Sequence, residues 1–342
     1  MRKLRKQRIR QSGFIGIRDE RGNEIGHGNR VIMKKTAGRR AILIAGPTAS
    51  GKSALAIRLA QKLNGVVVNA DSMQVYRDLR IITARPSLDE EAEVPHRLFG
   101  HVDAAENYSV ARWLADMGRE IMTIEAEGRL PILVGGTGLY FRALTEGLSD
   151  IPQVPDAVRV ELRAWAEDKT AEEIHARLEA VDPTTAARLR PSDPQRNLRA
   201  LEVFTATGQP LSAFHDTRSG AVLDIAECVA VFLEPDRDAL RQKIDARFDA
   251  MMENGAGEEV EALMLRGLDP ALPAMRAHGV PGLIRALRNE ISVEEAVAIG
   301  KADTRRYAKR QHTWFRHQAP EFAWVRVEEA EGRVMQSIEF SP

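Results

Sequence analysis

Apolar residues first form a sustained pattern at Ala41-Ile42-Leu43-Ile44-Ala45, an unbroken run of the length and kind that suits a strand buried on both faces. A glycine-bounded loop, Gly46–Gly51, follows it. Leu55, Leu59 and Leu63 then recur at helical spacing and predict a helix over 52–63. The β-branched run Val66–Val68 predicts a second strand ending near Asp71. Ser109 reads as the N-cap of a long helix through Glu127, stopped by Gly128. Leu130–Val134 predicts a third strand, which runs into Gly135-Gly136-Thr137-Gly138 and a further helix to about Leu144. Strand, loop, helix and strand in that order predict an α/β fold with a parallel sheet flanked by helices.

Pro152 and Pro155 break this alternation, and from there to about Gly220 the spacing is helical without a convincing strand. Glu161–Ala166, Ala171–Glu179, Pro183–Leu189 and Leu198–Thr207 read as short helices of an all-helical insertion domain. Val229–Leu233 restores a strand, helices start at Arg237, Glu258 and Val293, and Phe322–Val327 adds a last strand. The expected organisation is a basic, disordered tail (1–38), a core in two parts (39–150 and 223–330), the insertion (151–222) between them, and a short tail (331–342).

With 342 residues, 44% of them hydrophobic, the chain can bury a large core, and its length favours one large domain with an insertion, or two domains, over one compact module. Net charge is zero, but residues 1–40 hold thirteen Lys/Arg against three Asp/Glu, so the remainder is acidic. A polyanion partner therefore requires positive groups concentrated locally. The single cysteine, Cys228, excludes an internal disulfide framework, suits a reducing compartment and reads as a small buried hydrophobe. No apolar run approaches the ~18 residues of a membrane span, so no membrane partner is expected. The basic N-terminus lacks the apolar core of a secretory signal. It reads as a disordered arm, or as an over-long start with Met33 as initiator. The expected setting is the cytoplasm, and the expected state is a monomer.

Gly46-Pro47-Thr48-Ala49-Ser50-Gly51-Lys52-Ser53 matches G-x-x-x-x-G-K-[ST] in full, between a predicted strand and a predicted helix. Glycines at both ends let successive N–H groups turn inward onto phosphate oxygens, and the helix aims its positive end at the same point. Lys52 supplies a mobile cation, and the Ser53 hydroxyl is a candidate ligand for Mg²⁺. Such loops serve kinases, nucleotide hydrolases and other transferases alike. The absence of an Asn-Lys-x-Asp tetrad disfavours a GTPase, and no Cys/His zinc spacing occurs. Asp71, in Asn69-Ala70-Asp71-Ser72-Met73-Gln74-Val75-Tyr76, is the acidic residue at a strand end on the P-loop edge of the sheet. It reads either as a proton acceptor or metal support, or as a turn or cap residue.

These two segments occur in order with Thr83-Ala84-Arg85-Pro86, Pro95-His96-Arg97-Leu98, Val134-Gly135-Gly136-Thr137-Gly138-Leu139-Tyr140 and Asp193-Pro194-Gln195-Arg196-Asn197-Leu198-Arg199-Ala200-Leu201-Glu202. Together they closely resemble the bacterial tRNA dimethylallyltransferases, or isopentenyltransferases, from about Ala41 to Arg316. The resemblance implies a P-loop NTPase-like, kinase-like core with an inserted helical domain that grips the tRNA anticodon stem-loop. It implies transfer of a dimethylallyl group from dimethylallyl diphosphate to N6 of adenine 37. By matching motif, Thr48–Ser53 would hold the donor diphosphate, and Asp71 would take the proton from N6, with Thr137 at the same nucleotide. Asp71, Ser72, Met73, Gln74, Arg159, Gln195, Arg196, Asn197, Leu198 and Arg199 would contact tRNA, and Lys309–Arg316 would approach it. The chain departs from the family at Arg276-Ala277-His278-Gly279-Val280-Pro281, where many members carry Gly-Tyr-Arg or Gly-Tyr-Lys; no RNA contact is assigned to Val280 or Pro281, and His278 reads as structural.

The chemistry accounts for these residue types. The exocyclic amine is a poor nucleophile, so the leaving diphosphate must be well stabilised, by N–H groups, Lys52 and Mg²⁺ on Ser53. An ionised carboxylate then needs only to take a proton. A base flipped from a loop reaches a recessed donor more cheaply than one in a duplex. A P-loop small-molecule or nucleotide kinase also accounts for Gly46–Ser53 and the sheet order, but leaves the helical insertion and Gln195–Arg199 without a purpose. Trp113 reads as core, and Glu258-Glu259-Val260-Glu261 as a solvated helix start.

Overall fold

The computed structural model describes residues 39–214 and 218–339; the expected basic tail, 1–38, lies outside the described residues. Strand β1 (Ala41–Ala45) is buried at every position, and α1 (Lys52–Leu63) and β2 (Gly65–Asn69) complete the expected opening. A capping box of Ser87 and Glu90 starts a short helix, α2 (Leu88–Glu93), and a two-residue strand follows, β3 (His96–Arg97). Neither was expected. The Ser109 side chain accepts from the Arg112 N–H and starts α3 (Val110–Ala126), as its position predicts. Strand β4 (Leu130–Gly135) then leads through Gly136-Thr137 into α4 (Gly138–Glu146).

Strand β5 (Leu148–Ser149) opens the excursion, which holds α5 (Asp156–Ala166), α6 (Ala171–Val181), α7 (Pro183–Ala186) and α8 (Pro194–Thr207). Asp193 caps α8 by accepting from the Arg196 N–H, Pro194 sits in its first turn, and Gly208 ends it at φ 67°. Leu162, Ile174, Leu178, Ala186, Ala200 and Leu201 form a hydrophobic cluster separate from the sheet's. The stretch was expected to hold no strand. Instead β6 (Arg218–Ser219) pairs antiparallel with β5, joining the outgoing and returning chains.

Strand β7 (Cys228–Leu233) restores the core, followed by α9 (Arg237–Glu253), α10 (Ala256–Leu265), α11 (Val280–Leu287), α12 (Val293–Gln318) and β8 (Ala323–Val325). The end of the chain corrects the expectation of a tail at 331–342, because α13 (Ala330–Glu339) buries Ala330, Val334 and Ile338. Their spacing of four places all three on one helical face, which packs with Ile42, Ile44 and α1.

Six parallel strands lie in the order β3-β2-β4-β1-β7-β8. Along β1, Ile42 and Ile44 face the α1 and α13 side, while Ala41, Leu43 and Ala45 face the larger cluster containing Trp113, Tyr140 and Phe232. This double burial is why β1 shows no polar alternation. Trp113, expected in the core, is fully buried, stacked 4.1 Å from Tyr140, and donates from Nε1 to the Asn69 carbonyl at 3.0 Å. Cys228 is buried as expected. No helix among the described residues is long and apolar enough to cross a membrane.

Candidate active site

The loop from Gly46 to Ser53 joins β1 to α1 at the carboxyl edge of the sheet. Ala49 and Gly51 adopt positive φ, 62° and 89°, between residues of ordinary hand, and this alternation turns successive N–H groups toward one point. No side chain caps α1, and no acidic residue lies in its first turn. The N–H groups of Thr48 and Ser50 are taken by Gln311 Oε1 at 3.0 Å and the Pro47 carbonyl at 3.3 Å. Those of Ala49, Gly51, Lys52 and Ser53 have no partner among the described residues, and neither does the buried Ser50 hydroxyl. A recessed cluster of unsatisfied donors at a helix N-terminus is built for an anion.

Lys52 donates from Nζ to the Pro47 carbonyl at 2.7 Å. Burial pushes its ammonium down to about 7; the Asp71 carboxylate resists this shift and Arg247 adds to it. The Arg247 guanidinium donates to the Thr48 hydroxyl. Burial lowers its pKa too, again opposed by Asp71. Two desolvated cations around this cradle are each costly, and a bound polyanion would relieve both.

Asp71 is fixed by its neighbours. The fully buried Asn69 accepts from the Asp71 N–H at 2.8 Å and donates to the Asp71 carbonyl at 3.0 Å. Asp71 Oδ1 accepts from the Met73 N–H at 2.9 Å, so the turn role is real. Oδ2 has no hydrogen-bond partner among the described residues. The carboxylate lines the same cavity, of about 500 Å³, as Thr48–Ser53. Thr137 stands beside it, its hydroxyl accepting from the Ser72 N–H at 3.0 Å and lying 3.3 Å from the Ser72 hydroxyl. Met73 and Gln74 also line the cavity, and the Gln74 amide holds the opposite rim by donating to the carbonyls of Thr83 and Ala84.

The remaining expected tRNA contacts lie on the insertion, and none of them lines this cavity. Gln195 and Arg196 are exposed; Arg159 and Arg199 are half-buried. Arg159 pairs with Asp156, Arg196 with Asp193 and Arg199 with Glu202. Asn197 is a correction: it is fully buried, donates to the carbonyls of Arg190 and Asp193, and meets His175 Nδ1 at 3.0 Å. Its side-chain amide therefore ties α8 to α6 and to the loop that precedes α8. Leu198 packs against the insertion core.

Residues 74–318 match the family model described as IPP transferase, and residues 39–102 that described as isopentenyl transferase. A tRNA dimethylallyltransferase of Beijerinckia indica is 62% identical over 291 residues, which are 85% of this chain and 96% of that protein. The chain belongs to the tRNA dimethylallyltransferase family. Another relative of that name, from Rhodopseudomonas palustris, is 60% identical over 86% of this chain and 92% of its own. The solved tRNA isopentenylpyrophosphate transferase of Bacillus halodurans is 34% identical with a TM-score of 0.62, covering 87% of this chain and 96% of that one. A eukaryotic dimethylallyltransferase acting on tRNA superposes with a TM-score of 0.74 at 29% identity, over 88% of this chain and 80% of that one.

Residues without a sequence motif complete the site. Gln311, expected on an RNA-approaching segment, is buried and bridges the Thr48 N–H to the Gly136 carbonyl at 3.0 Å each. Gly136 must be glycine because a Cβ there would lie 1.9 Å from the Gln311 amide. Glu259, expected to be solvated, reaches across to accept from the N–H groups of Arg80, Ile81 and Ile82 at 2.7 to 3.1 Å. His278, expected to be structural, lines the cavity with its ring 4.7 Å from that of Tyr307, and burial depresses its pKa. The signal for Gln311 was a polar residue in register with the apolar Ala308 and Phe315; for Arg247 it was a cation amid Ile244, Phe248 and Met251.

Proposed function

We propose that this chain transfers a dimethylallyl group from dimethylallyl diphosphate to N6 of adenine 37 in the tRNA anticodon stem-loop, releasing diphosphate in the cytoplasm. The observation that carries this reading is the single cavity lined both by an unsatisfied anion cradle and by the Asp71 carboxylate. The N–H groups around Ala49–Ser53, with Lys52 and Arg247, bind the diphosphate and stabilise the charge it gains as the C1–O bond breaks toward it. The N6 lone pair forms the new N–C1 bond, and the N6 proton passes to Asp71. Thr137, which holds Ser72, orients the same nucleotide, while Met73 and Gln74 line the approach.

Among the described residues, no group of three or more His, Cys, Asp or Glu is placed to hold a metal. The Ser53 hydroxyl beside the cradle fits Mg²⁺ held mainly by diphosphate oxygens and water. Bound there, the ion would neutralise part of the diphosphate charge. Arg159, Gln195, Arg196 and Arg199 offer the tRNA backbone a positive surface on the insertion.

Incubation of the purified protein with dimethylallyl diphosphate, Mg²⁺ and unmodified tRNA, followed by digestion to nucleosides, tests the proposal. It predicts N6-(dimethylallyl)adenosine. ATP turnover on a small acceptor without prenylated tRNA would favour the kinase reading instead.

A further inference from the structure

Beside the cationic groups Lys52 and Arg247 at the cradle, the lining of the cavity includes the apolar side chains Ile82, Ile244, Phe248 and Met251. An amphiphilic donor that sets its diphosphate in the cradle must lay its hydrocarbon against these apolar side chains. What stops the hydrocarbon is visible in the packing behind two of these side chains.

Ile82 and Phe248 are almost fully buried and meet over Gly279. A Cβ on Gly279 would lie 2.9 Å from Ile82 Cδ1 and 3.1 Å from Phe248 Cζ, and one on Gly300 would lie 2.2 Å from Phe248 Cζ. The phenyl ring therefore rests directly on the backbone of α12 and has no room to recede. Ile82 is pinned as well, its N–H held by Glu259 Oε1 at 2.9 Å. Along α9, Arg247 at the cradle and Met251, which also lines the cavity, are one helical turn apart, ~6 Å along the axis. A five-carbon chain fills such a span, and a ten-carbon chain would need about twice as much.

We infer that Phe248 and Ile82, backed by Gly300 and Gly279, form the wall that limits the donor to a five-carbon chain. The inference rests on the prenyl-transfer reading and specifies the donor that the site accepts. Truncating either side chain opens room for a longer hydrocarbon, whereas a methyl group at residue 300 drives the ring into the cavity.

Full-length wild type, Phe248→Ala and Ile82→Ala would be assayed on unmodified tRNA with dimethylallyl and geranyl diphosphate in competition, the products being resolved by mass spectrometry. Phe248→Ala should raise the geranyl-to-dimethylallyl ratio of kcat/KM about tenfold or more, and Ile82→Ala should move it less in the same direction. Gly300→Ala should raise the KM for dimethylallyl diphosphate and leave tRNA affinity within about twofold. If Phe248→Ala fails to fold, Phe248→Leu and Ile82→Ala decide the matter. Folded variants that keep the wild-type ratio, or a wild type that uses geranyl diphosphate equally well, would overturn the inference. A wild type that prenylates no tRNA with either donor would instead overturn the function proposed above.

Discussion

The cleft and the helical insertion hold their charged groups in opposite ways. In the cleft, Lys52 and Arg247 are desolvated and Asp71 is fixed through its backbone and one carboxylate oxygen. On the insertion, Arg199 shares the buried Glu202 with Arg163, whereas Arg159 and Arg196 pair with the exposed Asp156 and the partly exposed Asp193 three residues away. Exposed pairs of this kind contribute little to stability, so they exchange an acid for a phosphate at small cost. The cleft is preorganised for one reaction. The exposed pairs of the insertion can rearrange, as the proposed contact with an RNA backbone requires.

The sharpest way to break this contrast is Asp71→Asn, which keeps the oxygen that accepts from Met73 but removes the base. Prenyl transfer should slow by about 10²–10⁴-fold, with donor and tRNA dissociation constants, measured by calorimetry, nearly unchanged. Wild-type rates would remove Asp71 from the chemistry. Next, Lys52→Ala should lower kcat/KM for the donor by roughly 10²-fold. The same lysine sets a pH dependence. Burial pushes its ammonium down to about 7, and bound diphosphate favours the charged form. Donor binding therefore takes up a proton above pH 7, so affinity is highest below that value and weakens as pH rises through it, by up to about tenfold per unit. Lys52→Ala should flatten this contribution to the profile of donor KM against pH.

A smaller effect tests the rigidity of the cleft. Gln311→Ala strands the Thr48 N–H and the Gly136 carbonyl, and should cost about 2–4 kcal/mol in chemical denaturation. Smallest of all, Arg196→Ala and Arg199→Ala should each weaken tRNA binding a fewfold and reduce the slope of log affinity against log salt by about one for every phosphate no longer neutralised. Arg196→Ala should change folding stability by about 0.5 kcal/mol or less, and Arg199→Ala by more, because it removes one of the two partners of the buried Glu202. A large drop in stability with no change in the salt slope would make the insertion arginines structural.

How much was legible in the sequence follows the range of the interactions concerned. Strands buried on both faces, such as β1 and β7, announce themselves as unbroken apolar runs, and the P-loop is a local backbone pattern. Strand β3 has two residues, too few for any periodicity to show. Helix α11 begins with Val280-Pro281-Gly282, and Pro281 reads as a breaker although Pro is tolerated in a first turn. Helix α13 buries only Ala330, Val334 and Ile338, with Met335 partly buried beside them, among charged neighbours. In the site, Lys52, Ser53 and Asp71 were readable because strand ends and glycine spacing position them. Gln311 and Arg247 were not, since each acts on Thr48 from 263 and 199 residues away. Asn197 was misplaced because a motif conveys which residues recur and says nothing of which side of α8 they face.

The most direct measurement follows a donor labelled in both its prenyl group and its diphosphate through one turnover with unmodified tRNA. One diphosphate released for each N6-(dimethylallyl)adenosine formed, and none without tRNA, is the expected result. Diphosphate released without prenylated tRNA, or prenylation that proceeds equally well after the cradle is blocked by excess inorganic diphosphate, would contradict a cavity that holds the leaving group beside Asp71.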